Sequence, residues 1–395
     1  MTRLWDKGAP LDERVLAYTA GDDHGLDDRL VAYDVRASIA HAEGLHAAGL
    51  LSAPDLATLA AALAELAASH ARGEWRIALA DEDGQTALET RLTARVGEVG
   101  GRVHLGRSRN DQVLAALRLY LKDTVESLRS GADAVARALT AVGARHAGVP
   151  LPGYTHMQQA MPSSVALWAA GFAAEITDDA EGLGLARRRI DKNPLGSAAG
   201  YGTPGLPLDR RETQSRLGFA VNHEPVTAVQ LSRGKAEATL LFEIALLMTD
   251  LGRLASDLLL FYTQEFAFVE LPDAFTTGSS IMPQKRNPDV FELIRGRSAS
   301  AQACLAEALG ILAKLPSGYQ RDLQLLKAPL FRAIDLAAQT LDILPPALDG
   351  VRFKAENIRL DPAMRAAERA NELVVREGIP FREAYRRVAA ELGRK

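Results

Sequence analysis

The stretch "LLFEIALLMTDLGRLASDLLLF", residues 240–261, places apolar side chains at Leu240, Ile244, Leu247, Leu251, Leu254, Leu258 and Phe261. The steps alternate between four and three. That alternation keeps one apolar seam in line along a helix for about three heptads, as a bundle or coiled coil requires. The spacing predicts a helix from about Ser232 to Val269, on the order of 55 Å long at 1.5 Å per residue. One small globular core does not bury a helix of that length. Such helices pack side by side, often with helices of other subunits. Leu114, Leu117, Leu121, Val125 and Leu128 mark a second helix of this kind, and Val165, Trp168, Phe172, Ile176 and Leu183 a third.

Proline placement agrees. There is none between Asp55 and Val149, from Val226 to Leu271, or from Asp289 to Leu315. Prolines gather instead at 150–162, 194–207 and 283–288, which read as connections. Alternating β-branched residues are scarce, so the fold class is all-α. Three mostly helical domains are expected. Residues 1–104 hold shorter helices, one of them starting at Ser52-Ala53-Pro54-Asp55 as a capped end. Residues 105–344 form the central long-helix bundle, which assembles into a multi-subunit helical core. Residues 345–395 form a short helical domain opened by the Pro345-Pro346 break.

The chain has 395 residues and a net charge of −4, with acids and bases interspersed. Nothing in that balance favours nucleic acid or an anionic membrane as partner. The single cysteine, Cys304, excludes a disulfide within the chain and fits a reducing compartment. The start, Met1-Thr2-Arg3-Leu4-Trp5-Asp6, lacks the apolar core of a signal peptide. No apolar run reaches the length of a membrane span. The expectation is a soluble cytoplasmic protein.

Several motifs lead nowhere. Gly200-Tyr201-Gly202-Thr203-Pro204-Gly205 fits a dinucleotide pattern, but prolines surround it and no strand–helix context is expected. The eight histidines include no H-E-x-x-H pair, and no metal site is expected. No G-x-S-x-G elbow occurs. Three polar stretches remain. They are "GRSRNDQ" at Gly106–Gln112, "PGYTHMQ" at Pro152–Gln158 and "GSSIMPQKRNP" at Gly278–Pro288. Each lies at a connection next to a long helix. Ser108 or Asn110 serves as a cap in the plainest reading, and Asn287 with Pro288 makes a helix start. Caps leave Arg109, Lys285 and the serines unexplained. Helix N-termini suit anions. With Arg109 and Lys285 added, the set suits a carboxylate-rich small molecule, and Gly278 gives the serine loop freedom to close over it.

These stretches resemble a known family. "GSSIMPQKRNP" is similar to the signature loop of the fumarase/aspartase superfamily, whose members release fumarate from succinyl compounds. "GRSRNDQ", "PGYTHMQ" and "LPSGYQRDLQLLK" (Leu315–Lys327) narrow the resemblance to the argininosuccinate lyases. It runs from about Leu4 to Ala384. The implied reaction is cofactor-free β-elimination of argininosuccinate to L-arginine and fumarate, in arginine biosynthesis. The implied assembly is a homotetramer whose active sites are shared between subunits.

The resemblance implies roles residue by residue. Ser279 takes the Cβ proton and His156 protonates the leaving guanidino nitrogen, although the reverse assignment stays open. Lys285 supports the charged form of the serine, and Glu292 partners His156. Lys285 and Asn287 bind carboxylates. Ser108, Asn110 and Thr155 contact substrate, and Tyr319, Gln324 and Lys327 hold its other parts. Asp27 fits the cationic arginine head. Three positions depart from the pattern. Gln85 replaces a histidine after Glu82-Asp83-Gly84, Ser232-Arg233-Gly234-Lys235 replaces Ser-x-Arg-Asp, and Asp23 stands where serine is usual. Two other readings compete. One is a lyase of adenylosuccinate type. The other is a non-catalytic tetramer like the lens delta-crystallins.

Overall fold

The computed structural model describes residues 12–393, and they are predominantly helical. The longest of the helices that precede the long ones are α1 (Val31–Ala47), α2 (Ala53–Ala71) and α3 (Gly84–Val96). Five long helices follow: α4 (Arg109–Arg145), α5 (Val165–Ile190), α6 (Lys235–Tyr262), α7 (Asp289–Leu312) and α8 (Lys327–Gly350). The pair α9 (Ala366–Glu377) and α10 (Phe381–Leu392) ends the chain. The chain forms two compact units. Among the described residues one comprises 12–129, 181–246 and 300–338; the other comprises 130–180, 247–299 and 339–393. Every long helix supplies residues to both.

The seam that set the fold is buried throughout. Leu240, Ile244, Leu247, Leu251, Leu254 and Leu258 have no exposed surface, and Phe261 keeps 4%. Removing a leucine side chain from water contributes about 1.5–3 kcal/mol, so this face alone decides how α6 packs. The α4 seam from Leu114 to Leu128 is equally covered. On α5, Val165, Ile176 and Leu183 are buried, while Trp168 and Phe172 are half-buried. Trp168 satisfies its indole N–H by donating to Asp257 at 2.9 Å. In the first unit α1, α2 and α3 close a core around Leu45, Leu59, Leu63 and Leu92. Ser52 caps α2 as its sequence suggests, accepting from the Asp55 N–H at 3.2 Å.

Four expectations need correction. Helix α6 spans 235–262 rather than 232–269. Gly234 sits at φ +83°, and the Arg233 N–H is turned back to Gln230 O, so the preceding turn closes before α6 begins. At the far end Val269–Glu270 pairs antiparallel with Arg352–Phe353. Pro345 and Pro346 lie inside α8 rather than ending it. The burial of Leu344, Ala347 and Leu348 holds that turn together against the lost hydrogen bonds.

The other two corrections concern polar stretches. "PGYTHMQ" is not a plain connection. It forms the tip of a hairpin, β1 (Pro150–Thr155) against β2 (Gln158–Ser164), with His156 and Met157 as the turn. Finally, α7 starts at Asp289, one residue later than expected, because Pro288 O accepts the first helical hydrogen bond. Asn287 belongs to a two-residue strand, β4 (Arg286–Asn287), paired with β3 (Thr277–Gly278). Among the described residues no helix is long and apolar enough to cross a membrane.

Candidate active site

The start of α4 builds the first group of side chains. Ser108 is the cap: its Oγ accepts from Asn110 N–H at 3.3 Å, and its own N–H donates to Asp111 at 2.9 Å. This reciprocal arrangement satisfies two donors that a helix start leaves free. Asp111 also accepts from the Gly196 and Ala198 N–H groups at 3.1 and 2.8 Å. It is wholly buried, and burial pushes its carboxyl up to about 6 despite those donors. The capped turn presents Arg109 and Asn110 to a small cavity of about 80 Å³, whose wall also includes Asp23, Tyr319, Gln324 and Lys327.

Charge pairs line this cavity. Arg109 donates to Asp83 at 2.6 Å and lies 3.7 Å from Glu82. Arg321 reaches Glu82 at 2.7 Å. The Gln324 amide donates to Thr19 and Ala20 carbonyls at 3.0 and 3.2 Å, leaving its oxygen for another partner. Lys327 is buried between Asp27 at 2.6 Å and Asp23 at 2.8 Å. Burial opposes the lysine's charge, but the two carboxylates outweigh it and raise its pKa. Asp27 does not face the cavity: it is fully enclosed, taking Lys327 on one oxygen and the Gly84 N–H at 3.0 Å on the other. Asp23 and Asp83, not Asp27, are the acids on the cavity wall.

The departure at Gln85 has a structural account. Its side-chain amide donates to Asp34 at 3.3 Å, beside Gln112, which donates to the same carboxylate at 2.9 and 3.2 Å. Asp34 is buried, and burial raises its pKa. Gln85 therefore links the cavity wall to an interior carboxylate, a task that needs a donor but no charge.

The second group lies in the other unit. Thr155 and His156 stand exposed at the tip of the β1–β2 hairpin. His156 and Met157 have φ of +52° and +60°. Two-residue hairpin turns of this hand favour Asn and Gly, and a larger side chain there costs roughly 1–2 kcal/mol. Ser279 is half-buried in the loop between β3 and β4, where its Oγ accepts from the Ile281 and Met282 N–H groups at 3.3 and 3.1 Å. Donors to a hydroxyl oxygen stabilise its ionised form. Asn287 bridges β3 and β4 through Thr277 and Gly278 O, each at 3.4 Å. Lys285 and Glu292 are exposed. Within the chain neither forms an ion pair among the described residues, so the expected His156–Glu292 pairing is not made there.

The structure thus gathers Arg109, Asn110, Tyr319, Gln324 and Lys327 around one cavity, and Ser279 and Asn287 in one hairpin loop. Sequence reasoning missed Asp83 and Arg321 as wall residues. Arg321 stood in plain view between Tyr319 and Gln324, in a motif read for its neighbours.

The fold is a set of long helices that gathers polar side chains at helix starts and connections. The chain matches the lyase family model over residues 14–303. It is 50% identical over 392 residues to an argininosuccinate lyase of Sorangium cellulosum (strain So ce56), covering 99% of this chain and 90% of that one. It is 44% identical to an argininosuccinate lyase of Xanthomonas euvesicatoria pv. vesicatoria (strain 85-10), covering 98% and 89%. Among solved structures, the crystal structure of EDDS lyase in complex with formate superposes with a TM-score of 0.82 at 26% identity, covering 97% of this chain and 76% of that one. The chain belongs to the argininosuccinate lyase family. These relatives do not favour the adenylosuccinate-type or delta-crystallin-like readings.

Proposed function

We propose that the chain cleaves argininosuccinate to L-arginine and fumarate, as a carbon–nitrogen lyase of arginine biosynthesis. The observation that carries this is the near-full-length identity to argininosuccinate lyases. The mixed-charge cavity and the serine loop supply the chemistry. The difficult step is loss of a weakly acidic proton beside a carboxylate, which leaves two charges on one carboxyl group. Fixed donors aimed at that group lower the barrier most. Ser279 acts as the base, its oxygen already facing two backbone N–H groups, and Lys285 adds positive charge. His156 protonates the leaving nitrogen and Glu292 orients it. A positioned base or acid contributes about 10²–10⁴-fold. Asn287, Thr155, Ser108, Asn110 and Arg109 hold the succinyl part; Tyr319, Gln324 and Lys327 hold the arginine part.

The two groups of side chains meet in a homotetramer, each site being shared between subunits. Exposed Leu167, Leu185, Phe242, Leu246, Leu293 and Leu309 on three long helices support this, because surfaces that apolar favour association. The protein works in the cytoplasm on a small-molecule substrate. Ultraviolet absorbance of fumarate released from argininosuccinate tests the activity. Ser279→Ala is expected to cut turnover by at least 10²-fold while light scattering still reports a tetramer. Unchanged turnover in that variant would remove Ser279 from the mechanism, and no fumarate from the wild type would reject the activity.

A further inference from the structure

We infer that Arg233 is a specificity-determining residue, binding the α-carboxylate at the amino-acid end of the substrate. The inference rests on the argininosuccinate reading above and adds a residue to it. Arg233 falls at the unspecified position of the Ser-x-Arg-Asp pattern, so the resemblance supplies no role for it.

Arg233 borders the same cavity as Arg109 and Lys327. It is 6% exposed, and its Nη1 is sealed from solvent with no hydrogen-bond partner. Its guanidinium forms no ion pair within 4.0 Å among the described residues. It lies over the Tyr319 ring, 5.1 Å from the centroid, which orients its plane. Glu237, one helical turn further on, is also buried but does not pair with it. The backbone fixes this placement, since Gly234 at φ +83° ends the preceding turn and leaves Arg233 at the mouth of α6. A buried guanidinium without an acid is costly, and a fold keeps one where a ligand supplies the missing charge.

The charges of the cavity indicate which ligand. Arg109 is matched by Asp83, Arg321 by Glu82 and Lys327 by Asp27. Two groups are left over. Asp23 has only a share of Lys327, and Arg233 has no acid at all. A surplus acid and a surplus cation in one small cavity suit a zwitterion. The α-amino-acid end of arginine is such a zwitterion, with its ammonium toward Asp23 and its carboxylate toward Arg233.

Calorimetry on the full chain with L-arginine and agmatine tests this. Agmatine keeps the guanidinium and the chain but lacks the carboxylate. Wild type is expected to bind L-arginine at least tenfold more tightly than agmatine. Arg233→Met should weaken L-arginine at least tenfold and agmatine less than twofold, with Arg233→Lys in between. For argininosuccinate, KM should rise at least tenfold in Arg233→Met while kcat stays within threefold. Equal binding of the two compounds by wild type overturns the inference without any variant, and so does equal weakening of both by Arg233→Met. Fumarate release by wild type is read separately. An arginine preference that depends on Arg233 in a chain releasing no fumarate would reject the activity and leave the carboxylate anchor standing.

Discussion

Asp23 Oδ2 lies 2.8 Å from Lys327 Nζ, yet the ammonium is not Asp23's alone, because Asp27 holds it at 2.6 Å. One lysine cannot fully compensate two carboxylates in a dry site. Burial, with Asp27 adding repulsion, outweighs Lys327 and raises the Asp23 pKa from 3.8 to about 6. The sign of the pH effect follows. Between pH 3.8 and about 6 the unfolded carboxylate is ionised while the folded one still holds its proton. On this group's account, stability therefore falls as pH rises through that window and is level above it. Thermal unfolding of wild type and Asp23→Ser between pH 4 and pH 7 checks this. The wild type's stability relative to the variant should decline up to about pH 6. A constant difference would show that Asp23 ionises normally. Binding of L-arginine should move the opposite way, strengthening as pH rises through 6, because the ionised carboxylate takes the ammonium.

Gly234 has two reasons to be glycine. Its φ of +83° lies in the left-handed region, and a Cβ there would run into Leu312 Cδ2. Gly234→Ala is expected to cost about 2 kcal/mol, combining backbone strain with overpacking. Urea unfolding reads the loss as a lower midpoint with unchanged slope. A midpoint equal to wild type would mean that the turn before α6 moves freely.

The hairpin tip separates structure from chemistry. Asn tolerates the left-handed backbone that His156 occupies at φ +52°. His156→Asn should leave the melting temperature unchanged or slightly raised, while fumarate release falls by about 10²–10⁴-fold. A variant that keeps its turnover would reduce His156 to a turn residue.

Much of the fold was legible because α6 repeats one simple demand, an apolar side chain at each seam position. All seven predicted positions are buried. The hairpin was not legible. Its turn uses His156 and Met157 rather than the Asn-Gly pair that announces such a turn, and prolines at 150, 152 and 162 suggested loop. Pro345-Pro346 misled for a related reason: local preference spoke for a break, and burial of the flanking residues overrode it. In the site, the family resemblance pointed to Asn110, Tyr319, Gln324 and Lys327, which line one cavity. It could not reveal that Asp23 rather than Asp27 lines the cavity, since that depends on which carboxylate Lys327 covers. Nor could it find the Arg321–Glu82 pair, whose members are far apart in sequence.

Asp111 ties two distant segments of the chain together. One carboxylate fastens the first turn of α4 at Ser108 and also clasps the backbone of the glycine-rich loop at Gly196 and Ala198. The loop cannot peel away without unwinding the helix start, and the helix start cannot fray without releasing the loop. The two segments open and close as one cooperative piece, so amide protons at 108, 196 and 198 should exchange with solvent at a common rate.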